Sequence, residues 1–392
     1  MRVKPDIANL AATGSAVIAE RFSPPSRNMA AVRHYVAGGR ENGGGIGRLV
    51  GYITDTAREA GTTHLVTDTR GPRWFAPTSL VRLSWAILLM EKDRLLVPER
   101  IHHIHVAGRG STARKLVLTA AARLLGCVHV LHLHDYDYAG DFDARSPRQQ
   151  GFVRAMFQGA DRVIVLGRRD CSTLATRLGV DGGRIVIAHN CVPDPGPRPV
   201  RIGEAPLIVF LGRLSERKGV PELLSALGSS VMAGLRWQAV LAGDGPVAEY
   251  RRQAATMGLS DRVKMPGWLD ADQTRALCRR ADILVLPSHA EGMAMAVIEG
   301  LAHGLAVVAT PVGAHDEAIT DGESGLFVPA GDGRALAATL ARLVGDPVLR
   351  SRLSAGARAR YLSQFSMAAY QRRLEELYEA ISAKNQTRVH AQ

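Results

Sequence analysis

The feature that most constrains the fold is a repeated alternation of two kinds of segment. Short runs rich in apolar and β-branched residues, VRHYV (32–36), HLVTDT (64–69), HHIHVA (102–107), VHVLHLH (128–134), RVIVLG (162–167) and RIVIAH (184–189), punctuate the first half of the chain. Between them lie longer stretches such as TARKLVLTAAARLLG (112–126), with apolar residues every three or four positions. The first kind builds strands and the second helices, and their regular alternation makes βαβ units around a parallel sheet covered by helices. CVPDPGPRPVRIGEAP (191–206) then interrupts the pattern with five prolines and two glycines, a composition that reads as an interdomain linker. The alternation restarts in LIVFLG (207–212), WQAVLAG (237–243), RVKMPG (262–267), DILVLP (282–287) and LAVVAT (305–310).

The expected fold class is therefore α/β: two doubly wound, Rossmann-like domains facing a central cleft, where ligands of such sheets sit. The boundaries are a loose tail at 1–28, a first domain at 29–192, a linker at 193–206, a second domain at 207–364 and a C-terminal helix and tail at 365–392. In SMAAYQRRLEELYEAI (366–381) one helical face carries Met367, Tyr370, Leu374, Leu377 and Ile381. That face has to pack on something, and crossing back onto the first domain would bury it.

A chain of 392 residues with 46% hydrophobic and 22% charged residues is long enough for two cores and excludes global disorder. Cys127, Cys171, Cys191 and Cys278 show neither CxxC nor CxxH spacing, which argues against a zinc motif or a disulfide framework and for a reducing compartment. No secretory signal is legible in the first 28 residues, so the expected location is cytoplasmic. The charge of +12 calls for an anionic partner. Aromatics make up only 5% and no zinc-finger pattern is present, so nucleic acid is not the expected one. The most apolar run, SLVRLSWAILLM (79–90), falls short of the roughly 20 residues of a membrane span and reads as a core helix. Its basic flanks, Arg73, Lys92 and Arg94, leave open a helix lying on an anionic membrane surface at the inner face of the cytoplasmic membrane.

Several short motifs can carry chemistry. In FLGRLSERKGV (210–220) a buried strand ends at Gly212, and Arg213 and Lys218 follow around a loop that opens a helix. Helix amino termini and fixed cations together can clamp a diphosphate, although solvated basic residues at a strand exit would look the same. In SHAEGMAMAVIEG (288–300) Glu291 falls on a loop and Glu299 on the second turn of the helix that follows. Gly292 and Ala294 permit close backbone approach, so the amides of Met293 to Met295 can face a phosphate, while paired carboxylates suit vicinal hydroxyls. A capping acid plus a stray acid is the plainer reading. LAGDGP (241–246), with Gly243, and NGGGIG (42–47), with Gly44 and Gly45, are glycine-rich turns after strands; neither has GxGxxG spacing. AGRGSTARK (107–115) lacks the GxxxxGK[ST] of an NTPase. His134, at a strand's carboxyl end, is a proton carrier, a hydrogen-bond donor or a structural histidine. DYD (135–137) and DFD (141–143) can be metal-binding pairs or a polar loop, and the loop is the favoured reading.

Taken together, GRLSERKG (212–219), AGDGP (242–246), SHAEGMAMAVIEG (288–300) and GLAVVAT (304–310) resemble the ordered second-domain motifs of the family-4 retaining glycosyltransferases of the GT-B fold. The resemblance implies a nucleotide-sugar donor, UDP- or GDP-linked, and a saccharide or lipid-linked saccharide acceptor in polysaccharide, lipopolysaccharide or glycolipid assembly. It implies that Arg213 and Lys218 hold the diphosphate beside the Met293–Met295 amides, that Glu291 contacts the transferred sugar and Glu299 the ribose. His134 would stand beside the reacting sugar, with Gly44 and Gly45 near the donor. The first domain would be the acceptor side, and the chemistry would need no metal or other cofactor. The usual Phe-Gly after the first glutamate is Met293-Ala294 here, and the Asn-Gly pair common at the end of the first domain is Asn190-Cys191. Three rival readings remain on the same residues: a sugar-nucleotide epimerase or hydrolase, a glycosidase using Glu291 and Glu299, and a non-catalytic nucleotide-sugar-binding subunit.

Overall fold

A computed structural model describes residues 31–59, 61–62, 64–199 and 204–390, with no side-chain description beyond residue 383. The tail expected at 1–28 lies outside the described residues. Six strands form the first sheet: β1 (Val32–Val36), β2 (His64–Asp68), β3 (Ile101–Val106), β4 (His129–Leu133), β5 (Arg162–Val165) and β6 (Ile185–Ile187). Six more form the second: β7 (Leu207–Leu211), β8 (Gln238–Ala242), β9 (Val263–Gly267), β10 (Ile283–Leu286), β11 (Ala306–Ala309) and β12 (Leu326–Phe327). All pair in parallel, in the orders β2-β1-β3-β4-β5-β6 and β12-β11-β10-β7-β8-β9. Helices cover both faces of such sheets, which is why β1, β3, β4, β7, β10 and β11 are buried along their whole length; β7, β10 and β11 read as near-continuous apolar runs, while β1, β3 and β4 interleave histidines.

These orders fix where a ligand can sit. The second sheet reverses direction of growth between β7 and β10, and the first between β1 and β3. A crevice opens at each reversal, beyond the carboxyl ends of the strands. The segments leaving β7 and β10 are the two that carry GRLSERKG and SHAEGMAMAVIEG.

The C-terminal helix Met367–His390 follows a π-helical turn at Tyr361–Phe365. Its Met367, Tyr370, Leu374, Leu377, Tyr378 and Ile381 share one core with Val32, Leu49, Ile101, Val130 and Ile164 of the first domain. The crossing is tied down where the Tyr361 hydroxyl donates to the Val192 carbonyl at 2.9 Å.

Two local expectations are corrected. NGGGIG is not a turn: a four-residue helix, Gly39–Asn42, leads directly into the helix Gly44–Glu59. Gly44, at φ 60°, and Gly45 open that second helix, so the cleft there receives a helix start rather than a loop. SLVRLSWAILLM is not a core helix either. It lies within the helix Ala76–Leu96, which buries Ser79, Leu83, Ala86, Met90 and Asp93 while Leu80, Val81, Trp85 and Leu88 are exposed.

Candidate active site

A cleft of about 490 Å³ lies between the two sheets, beyond the carboxyl ends of their strands. The residues expected at the donor and the reacting sugar all line it: His134, Gly44 and Gly45 from the first domain, and Gly212, Arg213, Lys218, Gly243, Glu291, Gly292, Met293, Ala294, Met295 and Glu299 from the second.

The floor is set by backbone fit. A Cβ on Gly243 would stand 1.7 Å from the Gly212 carbonyl oxygen, so the exits of β7 and β8 touch backbone to backbone. Those glycines are demanded by strand packing before any ligand is considered. Beyond Gly212, residues Glu216–Lys218 form a single 3-10 turn that carries Lys218 under the β10 loop. There Lys218 Nζ donates to Glu291 Oε1, and Arg217 donates to the Ala290 carbonyl at 2.5 Å with its guanidinium 3.8 Å from the same carboxylate. Arg213, more exposed, pairs with Asp244 at 2.7 Å.

The helix Met295–Ala302 starts with Ala294 as its N-cap, and no side chain of that residue accepts from the first-turn amides. An uncapped helix start keeps its N–H groups available to an anion. Glu299, on the second turn, is only 8% exposed and takes its cation from across the cleft: Arg48, on the helix Gly44–Glu59, donates to its Oε1 at 2.8 Å. Burial raises the Glu299 carboxyl above its ordinary range, and Arg48 pulls it back. The two glutamates thus have separate cationic partners, Lys218 with Arg217 for one and Arg48 for the other.

On the first-domain side, His134 Nε2 is 2.9 Å from His105 Nδ1. Burial pushes its pKa down to about 3, so it is a neutral hydrogen-bonding group at physiological pH. The acidic triplets are engaged in the loop itself. Asp135 accepts from the Gly108 and Asp137 amides, Asp137 caps the helix Tyr138–Asp143, Asp141 pairs with Arg145, and Asp143 with Arg177.

With this geometry in hand, comparison with known proteins is decisive. Residues 205–346 match the family described as "Glycosyl transferases group 1", and residues 44–194 match "Glycosyltransferase Family 4". The chain is a glycosyltransferase of the family-4 type. It is 24% identical over 318 residues to the alpha-D-kanosaminyltransferase of Streptomyces kanamyceticus, covering 76% of this chain and 82% of that one. It is 33% identical over 244 residues to the phosphatidyl-myo-inositol mannosyltransferase of Mycobacterium leprae, covering 58% of this chain and 63% of that protein, less than two thirds of its length. Among solved structures, Anabaena HepE in complex with UDP and glucose superposes with a TM-score of 0.72 at 16% identity, over 90% of this chain and all of that one, which is a likeness of fold.

Sequence reasoning passed over several residues that line the transferase's cleft: Arg48, Tyr136, Asn190, Arg217, Asp244 and Trp268. Asn190 donates to the Met293 carbonyl at 2.7 Å, bridging the end of the first domain to the helix start that faces the cleft. In the sequence it is visible only as half of an altered Asn-Gly pair. Arg217 stands beside Lys218 in the same motif, and the 3-10 turn that brings both toward Glu291 is invisible in a linear spacing. Arg48 had no local signal, because its role depends on a helix from the other domain.

Proposed function

We propose that this glycosyltransferase moves a sugar from a nucleoside-diphosphate sugar to a saccharide or lipid-linked saccharide acceptor, with retention at the anomeric carbon. The observation that carries the reading is the pairing of Lys218 and Arg217 with Glu291 beside an uncapped helix start, all at the switch point of the second sheet. Cations and amides meet the diphosphate, Glu291 takes hydroxyls of the sugar, and Glu299 takes the ribose. The similarity to a kanosaminyltransferase and to a phosphatidyl-myo-inositol mannosyltransferase, and a UDP-bound neighbour in fold, support this class of donor and acceptor.

In this reading the acceptor oxygen forms its bond to the anomeric carbon on the face from which the diphosphate departs. The C–O bond to phosphate breaks, and the departing phosphate oxygen takes the acceptor's proton. Arg213, Lys218 and the Met293–Met295 amides stabilise the charge that develops there, so the chemistry needs no metal. Neutral His134 donates a hydrogen bond to the sugar instead of carrying a charge. The exposed face of the helix Ala76–Leu96, with its basic flanks, supports a reading in which the acceptor side meets an anionic membrane surface. No helix of the described residues is long and apolar enough to cross a membrane.

A thermal-shift series with UDP-, GDP- and ADP-sugars tests the donor assignment, since a ligand at a hundred times its Kd stabilises the fold by about 2.7 kcal/mol. One nucleotide class should raise Tm in the wild type and fail to do so in Lys218→Ala. Transfer by Lys218→Ala or Arg213→Ala should fall about 10²–10³-fold with the fold retained. Near-normal transfer by both variants would remove the clamp assignment. Release of free nucleotide at the full rate with no acceptor present would favour a hydrolase.

A further inference from the structure

One buried face of the first sheet is made of histidine. His34 on β1, His103 and His105 on β3 and His132 on β4 are all no more than 2% exposed, with His64 on β2 and His134 just beyond β4 completing the row. Alternate residues of a strand share a face, and the registers His34↔His103 and His105↔His132 set the rings side by side. The family-4 reading uses only His134. Such a face ordinarily carries Val or Ile, so the other five call for an account.

Their hydrogen bonds single out one place. His34 lies between His64 (3.1 Å) and His105 (3.1 Å); His103 lies between the Tyr378 hydroxyl (2.7 Å) and His132 Nδ1 (3.2 Å); His105 lies between His34 and His134 (2.9 Å). In each of these three rings both nitrogens are engaged. His132 differs: it is fully buried, and its Nε2 has no partner. That nitrogen belongs to a ring whose ligand atom, with those of His105 and His134, falls in a group lying within 4.8 Å of one another. A second such group, His34, His103 and His105, has no unengaged nitrogen to offer.

We propose that His105, His132 and His134 form a binding site for one zinc-class divalent cation, His132 through its unpartnered Nε2 and the other two through the nitrogens they now share. Three neutral imidazoles suit Zn²⁺, Co²⁺ or Ni²⁺, whereas Mg²⁺ and Ca²⁺ take oxygen ligands. Metal–nitrogen bonds of about 2.0–2.1 Å in a tetrahedral arrangement put ligand nitrogens roughly 3.4 Å apart. Ring adjustments of about an ångström achieve this, with the proton between His105 and His134 passing to His134 Nδ1. The outer shell is already in place: His34 holds the far nitrogen of His105, and His103, itself held by Tyr378, holds that of His132. Ligating histidines are oriented by such second partners. An ion on His134 Nε2 would fix its proton on Nδ1, leaving an N–H donor for the cleft. The site does not depend on which donor or acceptor the transferase uses. Local spacing hid it, because its ligands come from two strands and a loop instead of one motif.

Tag-free full-length chain, dialysed against EDTA, is titrated with Co²⁺ and then Zn²⁺. The expected result is one Co²⁺ per chain with the visible absorption of tetrahedral cobalt, displaced by Zn²⁺. His132→Gln should abolish saturable binding, His103→Gln should weaken it roughly 10–100-fold, and His64→Gln, beyond His34, should leave it unchanged, with circular dichroism reporting the fold of each. X-ray absorption on the zinc-loaded wild type gives an answer that needs no variant, and three imidazole nitrogens at about 2.0 Å are expected. Absence of saturable binding, binding that survives in folded His132→Gln, or a shell without three imidazoles overturns the site.

Discussion

Lys115 shows how much one buried side chain can govern. It sits on the helix Gly110–Leu124 with no exposure at all, its ammonium donating to the Thr69 hydroxyl at 3.0 Å and the Tyr35 carbonyl at 3.3 Å. Burial pushes its pKa down to about 7, against a weak pull from Asp68 in the other direction. In the unfolded chain the same lysine keeps its proton to about pH 10.4. Between those values the unfolded state binds one more proton than the folded state, so stability rises with pH; below pH 7 both are charged and the full burial penalty applies. That penalty is at most about 5 kcal/mol. Lys115→Met should therefore raise Tm at pH 6, with the gain shrinking steadily to pH 10. The two lost hydrogen bonds cost on the order of 1 kcal/mol each at every pH and do not change this slope. Melting curves of both proteins across that range decide it, and a pH-independent difference would mean that Lys115 keeps the same pKa folded as unfolded. His64 and His102, both pushed down to about 4 by burial, act on the acid side. Their folded pKa values lie below the unfolded ones, so their share of stability is lost as pH falls from about 6.5 toward 4.

At the scale of elements, the helix Ala76–Leu96 carries the sharpest expectation. Trp74 is 69% exposed and Trp85 60%, and Phe75, Leu80, Val81, Leu88, Leu95 and Leu96 add to an apolar surface edged by basic residues. Indole rings and aliphatic side chains beside Arg and Lys are the composition of a helix that lies in a membrane interface. Full-length protein should float with anionic vesicles at low salt, and Trp85→Glu with Leu88→Glu should leave it at the bottom of the gradient with its Tm unchanged. Flotation equal to wild type would assign the attachment to another surface. This helix also marks a limit of sequence reading. Its length and hydropathy were legible, but apolar residues on every side do not say which face will find a partner. The strands were legible because a parallel sheet buried on both faces favours short runs of apolar and β-branched residues, and all eleven expected runs contain most of a strand. β12, two residues long, has too little pattern to see. The helix beginning at Gly44 looks like a turn in the sequence because glycine is among the poorest helix formers. Its tertiary setting requires small residues there: a Cβ on Gly47 would stand 2.7 Å from the Gly39 carbonyl oxygen.

For the whole molecule, the two domains touch through polar contacts gathered around the cleft. Glu317 accepts from the Arg168 amide at 2.6 Å and faces His189 Nε2 at 3.1 Å, Asn190 holds the Met293 carbonyl, and Arg48 reaches Glu299. The C-terminal helix fixes the back of the molecule with apolar contacts, so the cleft side is the side held by exchangeable bonds. Here the site was least legible, since a motif shows its own acids and not the cation that another domain brings to them. The arrangement couples closure to ionisation. Glu299 is buried, which favours its neutral form, and Arg48 from the first domain favours its charged form. A charged carboxylate accepts hydrogen bonds from two ribose hydroxyls, and a protonated one accepts fewer. In Arg48→Met the Glu299 pKa should rise further, and donor binding is compared between pH 8 and pH 6. Calorimetric titration of the nucleotide sugar that stabilises the wild type should then give a Kd that weakens over this range in Arg48→Met, with a much smaller change in the wild type. Glu299→Gln, which cannot titrate, should bind weakly at both pH values. Parallel pH dependence in wild type and Arg48→Met would mean that Glu299 holds its charge without the first domain, and would separate donor binding from closure.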